Sequence, residues 1–368
     1  MHNEGNTDSK NQHYVPKFYL RNFSVDNNQK EIRLFNLKSK KFVATASIKH
    51  QASSNFYYGK DGKVEKQLSD LEGILAKAIA ETLRTLERPK YFSERHVELL
   101  TFMVSTELRN PVRKRTYEQM TDGMMKKLLS VDPKFKDKPE LLQILDTIEI
   151  IPKYSSTYSL SYLQHVVEIT LDLHIKLFVN KTSIPFITSD NPVIRYNQLL
   201  EMKSSSNSVT GFGLQGLEIF IPLSENVLLL FYDSQPYYVG SKKQKKVTLD
   251  RAEDVDQLNL LQMANCYSNV YGGNRFSKSY VTELHERTRM LPAFHQVHQN
   301  TIPSPYRKNG EIVTHTIDSV KTNLILSFIY LSTFGSRFPY IGNKIAMRKH
   351  AEMVRGYQGI EREIKQKK

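Results

Sequence analysis

The stretch Gln12-His13-Tyr14-Val15-Pro16-Lys17-Phe18-Tyr19-Leu20-Arg21-Asn22-Phe23-Ser24 sets one imidazole and one guanidinium among four aromatic rings. Rings at that density call for burial, and burial would hold His13 and Arg21 in fixed places. An imidazole titrates near neutrality and can pass a proton in either direction. A guanidinium clamps a carboxylate or phosphate through two parallel donors. The same pattern also suits an N-terminal anchor in which His13 is a satisfied structural group. A second stretch, Phe186-Ile187-Thr188-Ser189-Asp190-Asn191-Pro192-Val193, runs an apolar strand into four polar residues and a proline. Asp190 at such a strand end could serve as metal ligand, base or arginine partner. Asp190 and Asn191 could equally turn back on their own backbone as an Asx turn.

Other groups carry less. His295 and His298, with His285 ten residues earlier, offer imidazoles to a metal, but zinc wants three or four ligands and no Cys or carboxylate lies near. No metal site is therefore assigned, and the residues single out no cofactor. Gly211-Phe212-Gly213 followed by Gly216 spells the dinucleotide pattern. It opens no helix, so the fingerprint fails. The one cysteine, Cys266, sits among Leu260, Leu261, Met263 and Ala264 and reads as inert packing.

The two aromatic-flanked stretches resemble the bacterial family called domain of unknown function 4238. Its members are similar in opening with a Gln-His-Tyr-Val-Pro run that ends in Leu-Arg-x-Phe, and in carrying Phe-Ile-Thr-Ser-Asp-Asn-Pro-Val in mid-chain. Pro222-Leu223-Ser224 matches a further step of the family pattern. The resemblance spans about His13 to Gly272. It implies three more residues: Glu72 on the first long helix, Arg109 before Asn110-Pro111 on the second, and Asn259 on a later helix. It implies no reaction. The combined set gives His13, Glu72 and Asp190 as candidate catalytic groups, and Arg21, Arg109, Asn191 and Asn259 as candidate substrate or anion contacts. If they converge, they suit phosphodiester cleavage or nucleotide handling, as in a toxin or phage-defence effector. The alternative is a non-catalytic polyanion-binding or interaction module in which the same residues form a buried ion-pair network.

The elements that must position these residues follow from periodicity. Glu31–Leu37 and Lys41–Ile48 alternate as strands, and Asn55–Tyr58 reads as a third. Leu68, Leu71, Leu75, Ile79 and Leu83 mark an amphipathic helix over Val64–Leu86. Ser93 caps a second helix toward Asn110, where Pro111 forces a break. A third helix carries Met120, Met124 and Leu128, and shorter ones cover Glu140–Ile148 and Tyr158–Leu171. His174–Val179 and Phe186–Thr188 read as a β pair. Leu217–Pro222 and Val227–Tyr232 read as a hairpin, and Ala252–Tyr267 and Ser279–Met290 as helices. Met290 to Tyr306 reads as linker coil, and Glu311–Ile317 is β-prone. Helices bracketed by strand blocks, without βαβ alternation, give an α+β fold. The expected form is a central, mostly antiparallel sheet with a large inserted helical bundle (about 64–172) between sheet parts (about 12–60 and 174–232). The family-like domain would cover 12–290, and 291–368 would form a basic, helical C-terminal extension.

Composition bounds the partners. The formal net charge is +14 over 368 residues, with a pI near 9.5. So basic a chain attracts polyanions, and a nucleic acid or nucleotide is the expected partner. The charge gathers at Arg113–Arg115, Lys242–Lys246 and the tail, where Lys344–Lys368 holds eight Lys/Arg against three Glu. A single cysteine permits no internal disulfide, which fits a reducing cytoplasm. Met1–Asn11 lacks the apolar core of a signal peptide. The apolar stretch Asn323–Phe334 is shorter than the roughly 20 residues a membrane span needs, and reads as a buried strand or helix. No residue pattern sets the oligomeric state.

Overall fold

The computed structural model describes residues 10–132, 134, 138–201, 208–241, 244–291, 296–303, 311–337 and 346–366. The leader before residue 10, the middle of the serine-rich loop, Lys242, Lys243, His295 and Lys344 lie outside the described residues. The fold is α+β.

Its centre is a five-stranded sheet. The strands, in chain order, are β5 (His174–Asn180), β7 (Ile194–Tyr196), β8 (Glu218–Ser224), β9 (Val227–Tyr232) and β11 (Lys246–Leu249), in the spatial order β11-β5-β9-β8-β7. All pairings are antiparallel except β11 with β5. The run Val-Leu-Leu-Leu-Phe-Tyr of β9 shows no polar alternation, and the reason is burial on both faces. Val227, Leu229 and Phe231 join one core, while Leu228, Leu230 and Tyr232 join the other. Register carries the pattern across the sheet, with Leu229 opposite Leu177 and Ile221.

Helices from residues 63 to 170 lie between two blocks of strands. They include α2 (Lys63–Thr85), α3 (Glu94–Leu108), α4 (Pro111–Val131), α5 (Pro139–Thr147) and α6 (Leu163–Thr170). Leu75 and Ile79 of α2 with Leu99, Phe102 and Met103 of α3 fill the first core. Ser93 caps α3 by accepting from the His96 N–H. The chain breaks where expected: Asn110 caps α4, its side chain accepting from the Arg113 N–H at 2.9 Å, and Pro111 opens the helix. The second core lies under α7 (Ala252–Asn265), whose Val255, Leu258 and Leu261 meet Val320, Leu324, Leu326 and Phe328.

A second sheet has the order β3-β2-β12-β6, built from β2 (Glu31–Asn36), β3 (Lys41–Ser47), β6 (Thr188–Ser189) and β12 (Asn269–Gly272). It packs on α8 (Lys278–Thr288) through Phe35, Val270, Val281 and Leu284. Three departures from the sequence expectations stand out. The strand after Phe186 does not pair with β5; β6 pairs with β12 in the other sheet. The third short strand falls earlier, at β4 (Ser53–Asn55), paired with β1 (Asn11–His13), and Phe56–Gly59 makes a turn. The expected coil before Tyr306 contains β13 (Val297–Pro303), which pairs with β14 (Glu311–Ile317). Its β-branched Val297, Thr301 and Ile302 favour extension over coil. Near the C-terminus, β15 (Ile329–Leu331) pairs with β10 (Tyr237–Val239), and Lys349–Gln366 forms α9. No helix among the described residues is long and apolar enough to cross a membrane.

Candidate functional site

The aromatic N-terminal stretch works as a clasp. Tyr19, on the short helix α1 (Lys17–Leu20), is fully buried. Its hydroxyl donates to Pro222 O on β8 and meets Thr188 Oγ1 on β6, each at 2.6 Å. One hydroxyl thus joins the N-terminal segment to both sheets. His13 is buried in the same way: its Nε2 lies 3.1 Å from Lys49 O. Burial, with the nearby Lys17 and Arg109 charges, lowers its pKa to about 4. The ring is therefore neutral at pH 7, and Nε2–H donates to the carbonyl. Gln12 completes the clasp, accepting from the Tyr58 N–H and donating to Gly59 O.

Asp190 is fully buried, and its carboxylate is consumed by backbone. It accepts N–H groups from Tyr267, Ser268 and Asn269, each at 2.9 Å, and the Cys266 thiol at 3.4 Å. This ties the end of β6 to the turn that leaves α7. Burial pushes the Asp190 carboxyl up to about 6 against the downward pull of those donors. The Cys266 thiol is pushed well up by burial and by Asp190, so it stays protonated. Around it, Asn191 Nδ2 donates to Asn265 O, and Asn265 Nδ2 donates to Asn191 O and Val193 O. Gln262 Nε2 donates to Ser189 Oγ at 2.6 Å. Asn259 accepts from the Ile187 N–H and donates to Pro185 O and Tyr280 Oη.

Glu72 and Arg109 form an ion pair at 2.7 Å between α2 and the C-terminus of α3. Arg109 is 2 % exposed and Glu72 25 %. Glu65, one further step along the same helix face, has its pKa raised by burial and by Glu72. The Arg109 charge also bears on His13 and Tyr58, so His13, Glu72 and Arg109 share one polar neighbourhood. The Asp190 charge bears instead on Tyr14 and Tyr271. Asn259 joins α7 to the segment that enters β6 and to Tyr280 of α8, a separate contact. Of the three histidines weighed for a metal, His295 lies outside the described residues, His285 packs on Phe35, and His298 faces Asp318 at 2.7 Å. Among the described residues, no group of three or more His, Cys, Asp or Glu could hold a metal ion.

Arg21 stands apart from all of these. It lines an open polar cleft of about 680 Å³ together with Lys181, Arg275, Asn22, Ser24 and Asn226. None of the lining residues is acidic. Arg21 and Lys181 are exposed, and neither side chain makes an ion pair or hydrogen bond among the described residues. Arg275 is held in place, with its guanidinium donating to Thr182 O, Glu225 O and Asn226 Oδ1. Two further polar atoms of the cleft, Asn22 Nδ2 and Ser24 Oγ, are shielded from solvent and have no partner. Buried donors of that kind are uncommon, and they mark a place where a ligand or water completes the bonding. Arg21 is legible in the sequence, whereas Lys181 and Arg275 are not. Each is a lone cation in a loop, and only the fold brings them to Arg21.

Over residues 11–276 the sequence matches the family described as protein of unknown function (DUF4238). No curated protein and no solved structure matches it significantly.

Proposed function

The chain belongs to the family of proteins of unknown function DUF4238, and from that premise we propose that it is a non-catalytic binding protein whose Arg21 cleft holds the phosphate backbone of a nucleic acid. One observation carries this: two unpaired cations and one braced arginine meet in an open cleft without an acidic lining residue, beside two shielded polar atoms that lack a partner. Guanidinium and ammonium groups there face solvent at little cost and gain most from phosphate oxygens. The lining holds no aromatic ring on which a base could stack, so binding would be indifferent to sequence. The chain's net charge of +14 favours encounter with a polyanion.

The competing proposal is a nucleic-acid- or nucleotide-processing enzyme built on His13, Glu72 and Asp190. Its three groups are all engaged within the fold. His13 spends its Nε2–H on Lys49 O, Asp190 spends its oxygens on four donors, and Glu72 is paired with Arg109. This supports the structural role for the buried motif residues.

The test is binding of a fluorescent oligonucleotide across a salt series. Engagement of two to three phosphates should give a slope of log K against log salt of about −1.4 to −2.7. The double variant Arg21→Ala, Lys181→Ala should flatten that slope. Absence of binding at low salt, or a slope indifferent to both residues, would end the proposal. A preference for heparin over nucleic acid would assign the cleft to another polyanion.

A further inference from the structure

A second cavity, of about 530 Å³, opens between the first half of α4, the turn after α7 and the start of β13. It is separate from the Arg21 cleft and shares no lining residue with it. Arg115, Thr116 and Gln119 face it from α4, at the steps of one helix face. Tyr267 faces it from the turn, and Gln296 from the hairpin.

Three features of this cavity point to a ligand. Arg115 is exposed and makes no ion pair among the described residues. Gln119 Oε1 is shielded from solvent and accepts no hydrogen bond. Tyr267 is 44 % exposed although its backbone is fixed, because Asp190 holds the N–H groups of residues 267 to 269. An aromatic ring on a clamped backbone facing a cavity gives stacking area at reduced entropic cost. Asp190 thus fixes the backbone that carries that ring. Behind it lies Tyr57, within electrostatic reach of Tyr267, with its buried hydroxyl also unpaired.

We propose that this cavity binds a planar heteroaromatic ligand carrying an anionic group, a nucleoside monophosphate being the simplest. The ring stacks on Tyr267, an N–H of its edge donates to Gln119 Oε1, and the phosphate pairs with Arg115. Stacking and charge pairing at one site select for both halves of such a molecule, and neither half alone suffices.

The experiment is calorimetric titration of the full chain with AMP, CMP, GMP and UMP, beside ribose 5-phosphate and the free nucleosides. At least one monophosphate should bind, with both half-ligands at least tenfold weaker. Tyr267→Ala and Arg115→Ala should each weaken it about tenfold or more, Tyr267→Phe should restore binding, and Lys181→Ala should leave it unchanged. Melting curves keep the variants comparable, and Arg115→Ala serves if Tyr267→Ala fails to fold. Failure of all four nucleotides to bind overturns the proposal. Equal binding of ribose 5-phosphate would remove the stacking role. Loss of binding in Lys181→Ala with none in Arg115→Ala would move the nucleotide to the other cleft.

Discussion

The segment from Thr188 to Val193 and the Arg21 cleft use similar side chains in opposite ways. Asn259, which faces this segment from α7, bonds through both ends of its amide, while Asn191 bonds through its Nδ2 and leaves its buried Oδ1 without a partner. Asn22 in the cleft has an amide nitrogen with no partner, and Ser24 beside it has a free hydroxyl. Asp190 meets four donors, whereas Arg21 and Lys181 meet no acceptor among the described residues. Polar residues whose bonding is closed within the chain hold elements together. Those whose bonding is open are available to something else. The two aromatic-flanked stretches of the sequence contain both kinds between them, so a residue's place in such a stretch does not reveal which kind it is.

The contrast predicts a ranking of stability effects, with the largest at Asp190. Asp190→Ala strands three backbone N–H groups and a thiol in a closed site. At about 1–3 kcal/mol for each stranded donor, partly relieved by relaxation, the loss should be about 3–5 kcal/mol. Urea denaturation should show it, or the variant should be insoluble. A loss below about 1 kcal/mol would mean that the turn at Tyr267–Asn269 does not depend on the carboxylate, and the contrast would fail at its strongest point.

Glu218, at the start of β8, gives the next effect and sets its pH dependence. Burial pushes its carboxyl up to about 8, against hydrogen bonds from Gln198 and Tyr237. Unfolded, it would titrate near 4.3. The folded state therefore binds this proton more tightly, so the group's contribution is full below the unfolded pKa and is lost as pH rises through about 8. Glu218→Gln should lie close to wild type near pH 4.5 and exceed its stability by about 4–5 kcal/mol near pH 8, since each unit is worth about 1.4 kcal/mol. His13 acts with the opposite sign. Its folded pKa of about 4 makes its contribution full above about 6.5 and lost as pH falls toward 4. Melting temperatures of wild type and variant across that range separate the two groups.

Asn259→Ala should cost less, about 1–2 kcal/mol. It removes an acceptor from the Ile187 N–H and donors from Pro185 O and Tyr280 Oη, but Tyr280 keeps its bond to Asp256. Denaturation midpoints would check this, and a cost equal to that of Asp190→Ala would erase the ranking.

How much of this could be read beforehand depends on the range of the interaction. The hairpin β8–β9, the long helix α2 and the break at Pro111 were legible because each rests on neighbours a few residues apart. The pairing of β6 was not. Its partner β12 lies some 80 residues on, is four residues long, and has no apolar run to announce it. Asp190 was legible as unusual, but its partners at Cys266 to Asn269 were out of reach of any local pattern. The same holds for Lys181 and Arg275, which nothing in the sequence connects to Arg21. Tyr267 drew no notice because an exposed tyrosine after a helix is ordinary until its turn is seen to be clamped.

The smallest expected stability effect is the most discriminating. Arg21 and Lys181 have no partners to lose, so Arg21→Ala and Lys181→Ala should each change stability by no more than about 0.5 kcal/mol. Each could even stabilise slightly, because two like charges in one cleft repel. Their effect should fall on binding instead. Each lost phosphate contact should reduce the salt slope by about 0.7–0.9 and weaken affinity by a similar factor on every oligonucleotide sequence. Arg275→Ala provides the internal contrast, because it is braced by Glu225, Thr182 and Asn226 and should cost both stability and binding. If Arg21→Ala or Lys181→Ala destabilised the chain as much as Arg275→Ala, the two cations would have partners within the fold, and the cleft would be one more piece of scaffold.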